Sequence, residues 1–408
     1  MNTVGKESRR TYTTVGLCFV VALLEGMDLQ SAGIAAPGMA AEFGLNSTVM
    51  GAVFSASILG LLPGALGGGW LADRVGRKRV LIGAVVLFGL FSIATAQVWD
   101  LHSLLAARFM TGVGLGAALP NLIALSSEAA DARSRGTAVS LMYCGVPLGG
   151  ALAALVGMAG FAGGWKAVFY VGGVAPLLVA PLLILCLSES AAFRAQQSAR
   201  GGASAAPRVS LRQGLFQEGA AMPTLLLWIS YFFTLMVVYM LLNWLPSLLV
   251  GQGFSRPQAG MVQILFNIGG ATGSLLLGLL LDRWRPLALV ALTYAGILAA
   301  LAGLGLSTAF VSMLLAGFAA GFFAVGGQLV LYALAPLFYP TEVRATGVGA
   351  AVAVGRLGSM SGPLVAGQML AMGTGATGLL LASAPGVVVA AAAVFYLLGQ
   401  RRTEGVTA

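Results

Sequence analysis

The chain of 408 residues is 58% hydrophobic and only 9% charged, with a mean hydropathy of +0.93, whereas soluble domains carry about 25% charged residues. That composition excludes a soluble globular enzyme and describes an all-α polytopic membrane protein. The net charge of +9 would suit an anionic partner, but the basic residues sit mostly in short connections between apolar runs, so no nucleic-acid partner is expected and membrane lipid is the surrounding partner.

In chain order, a polar start with Lys6, Arg9 and Arg10 leads into an apolar run too long for a signal-peptide core, and the first span is expected to stay as an anchor. Apolar runs predict twelve membrane helices at 14–36, 48–71, 79–98, 103–126, 137–160, 166–187, 222–249, 257–280, 287–306, 309–334, 345–370 and 377–398. Cys18, Cys144 and Cys186 fall inside these runs and read as packing residues, not as a disulfide framework. Of the 22 Lys and Arg residues, only Lys166 and Arg256 lie in the connections on one side. Arg108 and Arg356 fall within spans, and all the others lie on the opposite side, which puts both termini in the cytoplasm. A connection at 188–221, rich in Ala, Gly, Ser, Gln and Arg, reads as a cytoplasmic linker between halves at 1–187 and 222–408.

The halves align without gaps at a constant offset of 209 residues. Pro37 falls on Pro246, Gly44 on Gly253, Gly51 on Gly260, Gly60 on Gly269, Gly64 on Gly273 and Gly69 on Gly278. The same offset matches Asp73-Arg74 with Asp282-Arg283, Gly112 with Gly321, Arg135 with Arg344, Thr137 with Thr346, and Leu148-Gly149 with Leu357-Gly358. Any one glycine match is weak in a chain with 58 glycines. Together they indicate a parallel internal repeat, the organisation of carriers whose substrate binds where two repeats meet.

Charged residues deep inside spans need a reason, because a charge near the middle of a membrane helix costs about 2.5–3.5 kcal/mol on insertion scales. Glu25 and Asp28 lie one turn apart in the first span, and Arg108 shares a face of the fourth with Gly112 and Gly116 at spacings of four. The first and fourth spans run in opposite directions, so the depths of Asp28 and Arg108 can match. A cation beside a carboxylate favours its charged form, and parting the two favours protonation. Glu25, Asp28 and Arg108 are therefore the candidate proton-coupling group, with the proton as coupling ion and no other cofactor. In the second half, Arg356 near the middle of the eleventh span could meet a carboxylate with two parallel hydrogen bonds. Tyr231, Tyr239, Asn243 and Trp244 on the seventh span, Gln263 and Asn267 on the eighth, and Gln328 and Tyr332 on the tenth could supply ring contacts and hydrogen bonds to a bound substrate.

The segment Gly69-Trp70-Leu71-Ala72-Asp73-Arg74-Val75-Gly76-Arg77-Lys78-Arg79 resembles the signature loop of the major facilitator superfamily. Arg108-Phe109-Met110-Thr111-Gly112-Val113-Gly114-Leu115-Gly116 resembles its arginine-and-glycine motif. The loops Glu128 to Gly136 and Pro340 to Gly347 resemble its cytoplasmic gate charges, and Ser188-Glu189-Ser190 resembles a further motif without its proline. Glu25-Gly26-Met27-Asp28, Asn243-Trp244-Leu245-Pro246 and Tyr332 to Gly347 extend the likeness to the aromatic acid:proton symporter family, with Glu at the first acid position.

The resemblance implies the major facilitator fold, two pseudo-symmetric six-helix halves around a central cavity. It also implies a monomer importing a small aromatic carboxylate, with the hydroxyphenylpropionates the best match, by proton symport. Asp73, Arg74, Arg77, Glu128, Arg135, Asp282, Arg283, Glu342 and Arg344 are then expected to act as gate charges, the loops after the fourth and tenth spans pairing with Asp73 or Asp282. An exporter or antiporter of organic anions, and a ligand-binding membrane sensor, stay open as alternatives. An enzyme is not expected, since no nucleotide loop, metal cluster or nucleophile-base pair is present in the sequence.

Overall fold

A computed structural model describes residues 2–131, 134–160, 163–190, 193, 221–281, 283–339 and 344–404, with the side chains of 2–10, 344–346 and 401–404 left undescribed. Among these residues there is no strand, and twelve helices are long and apolar enough to cross a membrane. They are α1 (Asn2–Phe43), α2 (Ser47–Val75), α3 (Arg77–Ala96), α4 (Leu101–Ala129), α5 (Arg135–Tyr143 and Gly145–Met158) and α6 (Lys166–Cys186). After the linker come α7 (Ala221–Gly251), α8 (Arg256–Leu281), α9 (Pro286–Leu306), α10 (Phe310–Leu334), α11 (Arg344–Ala371) and α12 (Gly375–Ala382 and Ala384–Glu404).

Every expected span is present, and the departures have local causes. The helix α1 is longer than its expected span, because the polar residues before Thr14 and the mostly apolar residues Pro37 to Phe43 continue the same coil. The breaks in α5 at Cys144 and in α12 at Ser383 fall two or three residues before Pro147 and Pro385. A proline has no N–H for the carbonyl four residues back and its ring crowds that carbonyl. The bonds from Cys144 N–H to Ser140 O and from Leu148 N–H to Cys144 O persist at 3.0 and 3.3 Å, so α5 continues across its break. Pro336 likewise turns the end of α10 into a 3-10 segment at Ala335–Phe338. The helix α4 starts on a reciprocal cap: Ser103 N–H donates to Asp100 Oδ1 at 2.8 Å and Asp100 N–H donates to Ser103 Oγ at 3.2 Å. The Ser103 hydroxyl, then its backbone, hold the Asp100 carboxyl below the usual carboxylate range.

The chain divides into two compact units, Met1–Leu45 with Ala52–Ala205, and Asn46–Gly51 with Ala206–Ala408. In the first, α1 packs on α5, α4 and α6, and α3 packs on α4 and α6. In the second, α7 packs on α11, α10 and α12, and α9 packs on α10 and α12. The offset of the repeat reaches individual contacts. A β-carbon at Gly60, Gly64, Gly112 or Gly149 would run into the backbone of Phe109, Val113, Ser57 or Leu23. One at Gly269, Gly273, Gly321 or Gly358 would run into Phe318, Phe322, Phe266 or Phe232, each partner shifted by the same offset as its glycine. The repeated glycines are thus the places where backbones touch, α2 on α4 and α1 on α5, then α8 on α10 and α7 on α11. Large apolar residues such as Leu178, Leu182 and Leu185 on α6 and Leu275, Leu276 and Leu279 on α8 stay exposed, as a lipid-facing surface requires.

Candidate functional site

In the first unit, two ionic groups, one from α1 and one from α4, meet in the interior. Arg108 Nη1 donates to Asp28 Oδ1 at 2.9 Å and Nη2 donates to the Asp28 backbone carbonyl at 3.4 Å. The side chains are 1% and 0% exposed. The Arg108 guanidinium also lies 5.4 Å from the centroid of the Phe169 ring on α6, a cation–π contact that replaces part of its hydration. Asp28 Oδ2 and Arg108 Nε have no hydrogen-bond partner among the described residues. A buried ion pair with unfilled valences is a weak source of stability. Glu25 is buried one turn before Asp28 on α1.

The second unit gathers most of the expected substrate residues. Arg356 Nη1 on α11 donates to the Tyr239 hydroxyl on α7 at 2.7 Å, and its guanidinium lies 6.0 Å from that ring's centroid. Gln328 Nε2 donates to the Tyr332 hydroxyl at 2.9 Å along α10, and the Tyr332 ring lies 5.5 Å from that of Tyr231. Gly355, beside Arg356, leaves the room that Tyr231 occupies: an added β-carbon would meet its ring at 3.2 Å. The result is a half-buried guanidinium among three phenol rings.

Other expected residues are placed differently. The Tyr231 hydroxyl donates to Leu331 O at 3.1 Å, and the Trp244 indole N–H donates to Pro363 O at 3.1 Å. Their polar ends thus brace the unit, and what they can offer a ligand is apolar wall. The Asn243 and Asn267 amides donate back along their own helices to Tyr239 O at 2.8 Å and Gln263 O at 2.9 Å. Asn243, Gln263 and Asn267 are all buried.

The gate charges of the first unit form a clip at one end of α4. Arg77 pairs with Glu128, which also accepts a hydrogen bond from the Ser190 hydroxyl. Glu189 Oε1 accepts from Lys78 N–H at 3.2 Å and Ser190 N–H at 2.9 Å. Lys78 Nζ donates to Ile184 O at 2.7 Å. Gly76, with φ of 104°, turns the chain at the start of α3, where Lys78 N–H points at Glu189, the arrangement that favours an anion at a helix N-terminus. Glu128 therefore meets Arg77, a partner outside the Asp73 or Asp282 pairing expected of this loop. Glu189 and Ser190, which the sequence placed only in a partial motif, emerge here as further functional candidates. Arg74 stacks on the Trp70 ring at 3.7 Å, while Asp73, Arg135 and Arg283 are exposed. Asp282, Glu342 and the Arg344 side chain lie outside the described residues.

The model of the Major Facilitator Superfamily matches residues 18–363 and, again, 227–408. The chain belongs to the major facilitator superfamily. Within that superfamily it is 61% identical to the 3-(3-hydroxyphenyl)propionate transporter of Escherichia coli (strain K12), over 98% of this chain and 97% of that protein. It is 37% identical to the gallate transporter of Pseudomonas putida, over 88% of this chain and 85% of that one. Among solved structures it is similar to the inward-open xylose transporter XylE from E. coli, with a TM-score of 0.78 at 18% identity over 94% and 95% of the two chains, a likeness of fold alone. As a member of the superfamily this multi-pass membrane protein is a transporter and not an enzyme.

Proposed function

We propose that this transporter imports 3-(3-hydroxyphenyl)propionate, or a closely related hydroxyphenylpropionate, across the bacterial cytoplasmic membrane by proton symport with alternating access, both termini facing the cytoplasm. The observation that carries the substrate reading is the half-buried Arg356, bonded to Tyr239 in a setting of phenol rings. A guanidinium offers a planar fork to a carboxylate, and the rings of Tyr231, Tyr239 and Tyr332 offer edges and faces to an aromatic ring. Gln328 and Tyr332, already hydrogen-bonded to each other, are suited to extend that bond to a ring hydroxyl. The 61% identity to a transporter of that substrate supports the choice of acid.

Proton coupling rests on the Asp28–Arg108 pair. In one state the arginine holds Asp28 charged; when the pair parts, the carboxylate takes a proton, and the cycle returns it on the other side. Titration calorimetry of the purified transporter tests the substrate assignment. 3-(3-Hydroxyphenyl)propionate should bind, and its carboxamide, which cannot form a charged bidentate pair, should bind about tenfold or more weakly. Equal affinity for acid and amide would refute the role of Arg356.

A further inference from the structure

The Asp28–Arg108 pair leaves one oxygen to account for. Oδ1 is engaged by Arg108, which leaves Oδ2 as the open oxygen of the carboxyl; it is fully buried and has no hydrogen-bond partner among the described residues. What surrounds Oδ2 is set by Gly172 on α6. A β-carbon built on Gly172 would lie 3.9 Å from Asp28 Oδ2, 3.9 Å from Ser31 Oγ and 3.4 Å from Ser92 Oγ. Three oxygens from α1 and α3 thus converge on the position that a side chain at 172 would fill. Both serines are fully buried, and both hydroxyl hydrogens are already committed, Ser31 to Met27 O at 2.7 Å and Ser92 to Phe169 O at 3.2 Å. They therefore face this position as acceptors, as does the Asp28 carboxylate.

We propose that Gly172 is absent a side chain in order to form a single-water site, bounded by Asp28 Oδ2, Ser31 Oγ and Ser92 Oγ, through which the coupling proton reaches and leaves Asp28. This rests on the proton-symport reading above. Three converging acceptors match the three donors of a hydronium ion and accommodate the two of a neutral water. A proton entering as hydronium passes to Oδ2, leaving a neutral water and a neutral carboxylic acid. Release is the reverse: the acid O–H bond breaks, the water oxygen takes the proton, and Asp28 is again charged beside Arg108. Gly172 thereby becomes a positioning residue for proton transfer, with no contact to the organic substrate required.

The test exploits the fact that the contacts an alanine would make at 172 are ordinary van der Waals distances, so Gly172→Ala folds while occupying the water's place. In proteoliposomes, Gly172→Ala should reduce uptake of 3-(3-hydroxyphenyl)propionate driven by an imposed pH gradient at least about tenfold, while counterflow, which exchanges substrate without net proton movement, stays within about twofold. Gly172→Ser, whose hydroxyl can stand in for the water, should recover a substantial part of the driven uptake. Undiminished driven uptake in Gly172→Ala overturns the site, as does a parallel loss of counterflow, which would mark a purely structural glycine. Asp28→Asn in the same assay separates the two claims. Loss of driven uptake in Asp28→Asn with normal Gly172→Ala overturns the water site alone, whereas normal driven uptake in Asp28→Asn overturns the proton reading beneath it.

Discussion

Replacing Arg356 by lysine keeps the positive charge and removes the planar fork, which makes it the sharpest probe of substrate recognition. The guanidinium is held by Tyr239 at 2.7 Å, so its orientation is set before a ligand arrives. A lysine ammonium on a flexible stem cannot make two parallel bonds to a carboxylate, and it loses the same tether. One charged hydrogen bond contributes about 1.5–3 kcal/mol, so the dissociation constant for 3-(3-hydroxyphenyl)propionate should rise about 10- to 150-fold. Tyr239→Phe removes the tether and leaves the fork free to meet the carboxylate, so its loss of affinity should be smaller than that of Arg356→Lys, below about tenfold. Calorimetry on protein in lipid nanodiscs, with thermal unfolding followed in parallel, measures both. A well-folded Arg356→Lys protein whose affinity stays within about twofold of the wild type would refute this reasoning.

Arg108→Gln leaves Asp28 buried without its cation and should lower stability by about 3–5 kcal/mol, and adding Asp28→Asn should restore part of the loss; thermal unfolding of the single and double variants checks this, and no recovery would contradict it. Gly112→Leu and Gly321→Leu, at equivalent repeat positions, drive side chains into the backbones of Ser57 and Phe266; each should cost about 1–3 kcal/mol or more through overpacking, seen as reduced monodisperse yield on size exclusion, and normal yields would argue against glycine-mediated contact. Glu189→Ala removes the anion at the start of α3, an interaction of about 0.3–1 kcal/mol, and should slow counterflow while leaving substrate affinity intact. An affinity defect with normal exchange rates would place Glu189 elsewhere in the cycle.

Much of the fold was legible because membrane helices write themselves as apolar runs of bilayer length, and all twelve expected runs contain helices. The repeat was legible for a stricter reason. Gly60 and Gly269, or Gly149 and Gly358, sit where one helix backbone touches another, so no other residue fits and the pattern survives at a fixed offset. The Asp28–Arg108 meeting could be anticipated from matched depth in antiparallel spans, since a lone charge in the interior needs a partner. The interruptions at Cys144 and Ser383 could have been read from Pro147 and Pro385. Less legible was how polar groups divide their donors. Tyr231 and Trp244 are engaged by the carbonyls of Leu331 and Pro363, neighbours brought together only by packing. Glu189 looked like part of an incomplete motif because its role depends on the N-terminus of α3, which the positive φ of Gly76 turns toward it. The convergence of Ser31 and Ser92 on Gly172 is likewise a product of three helices meeting.

The most direct measurement is uptake of radiolabelled 3-(3-hydroxyphenyl)propionate into proteoliposomes containing this protein, with and without an imposed inward proton gradient. Proton symport predicts accumulation above the external concentration only when the gradient is present, its collapse by a protonophore, and its loss in Asp28→Asn while counterflow persists. Equal uptake with and without the gradient, or gradient-driven efflux in place of uptake, would contradict it.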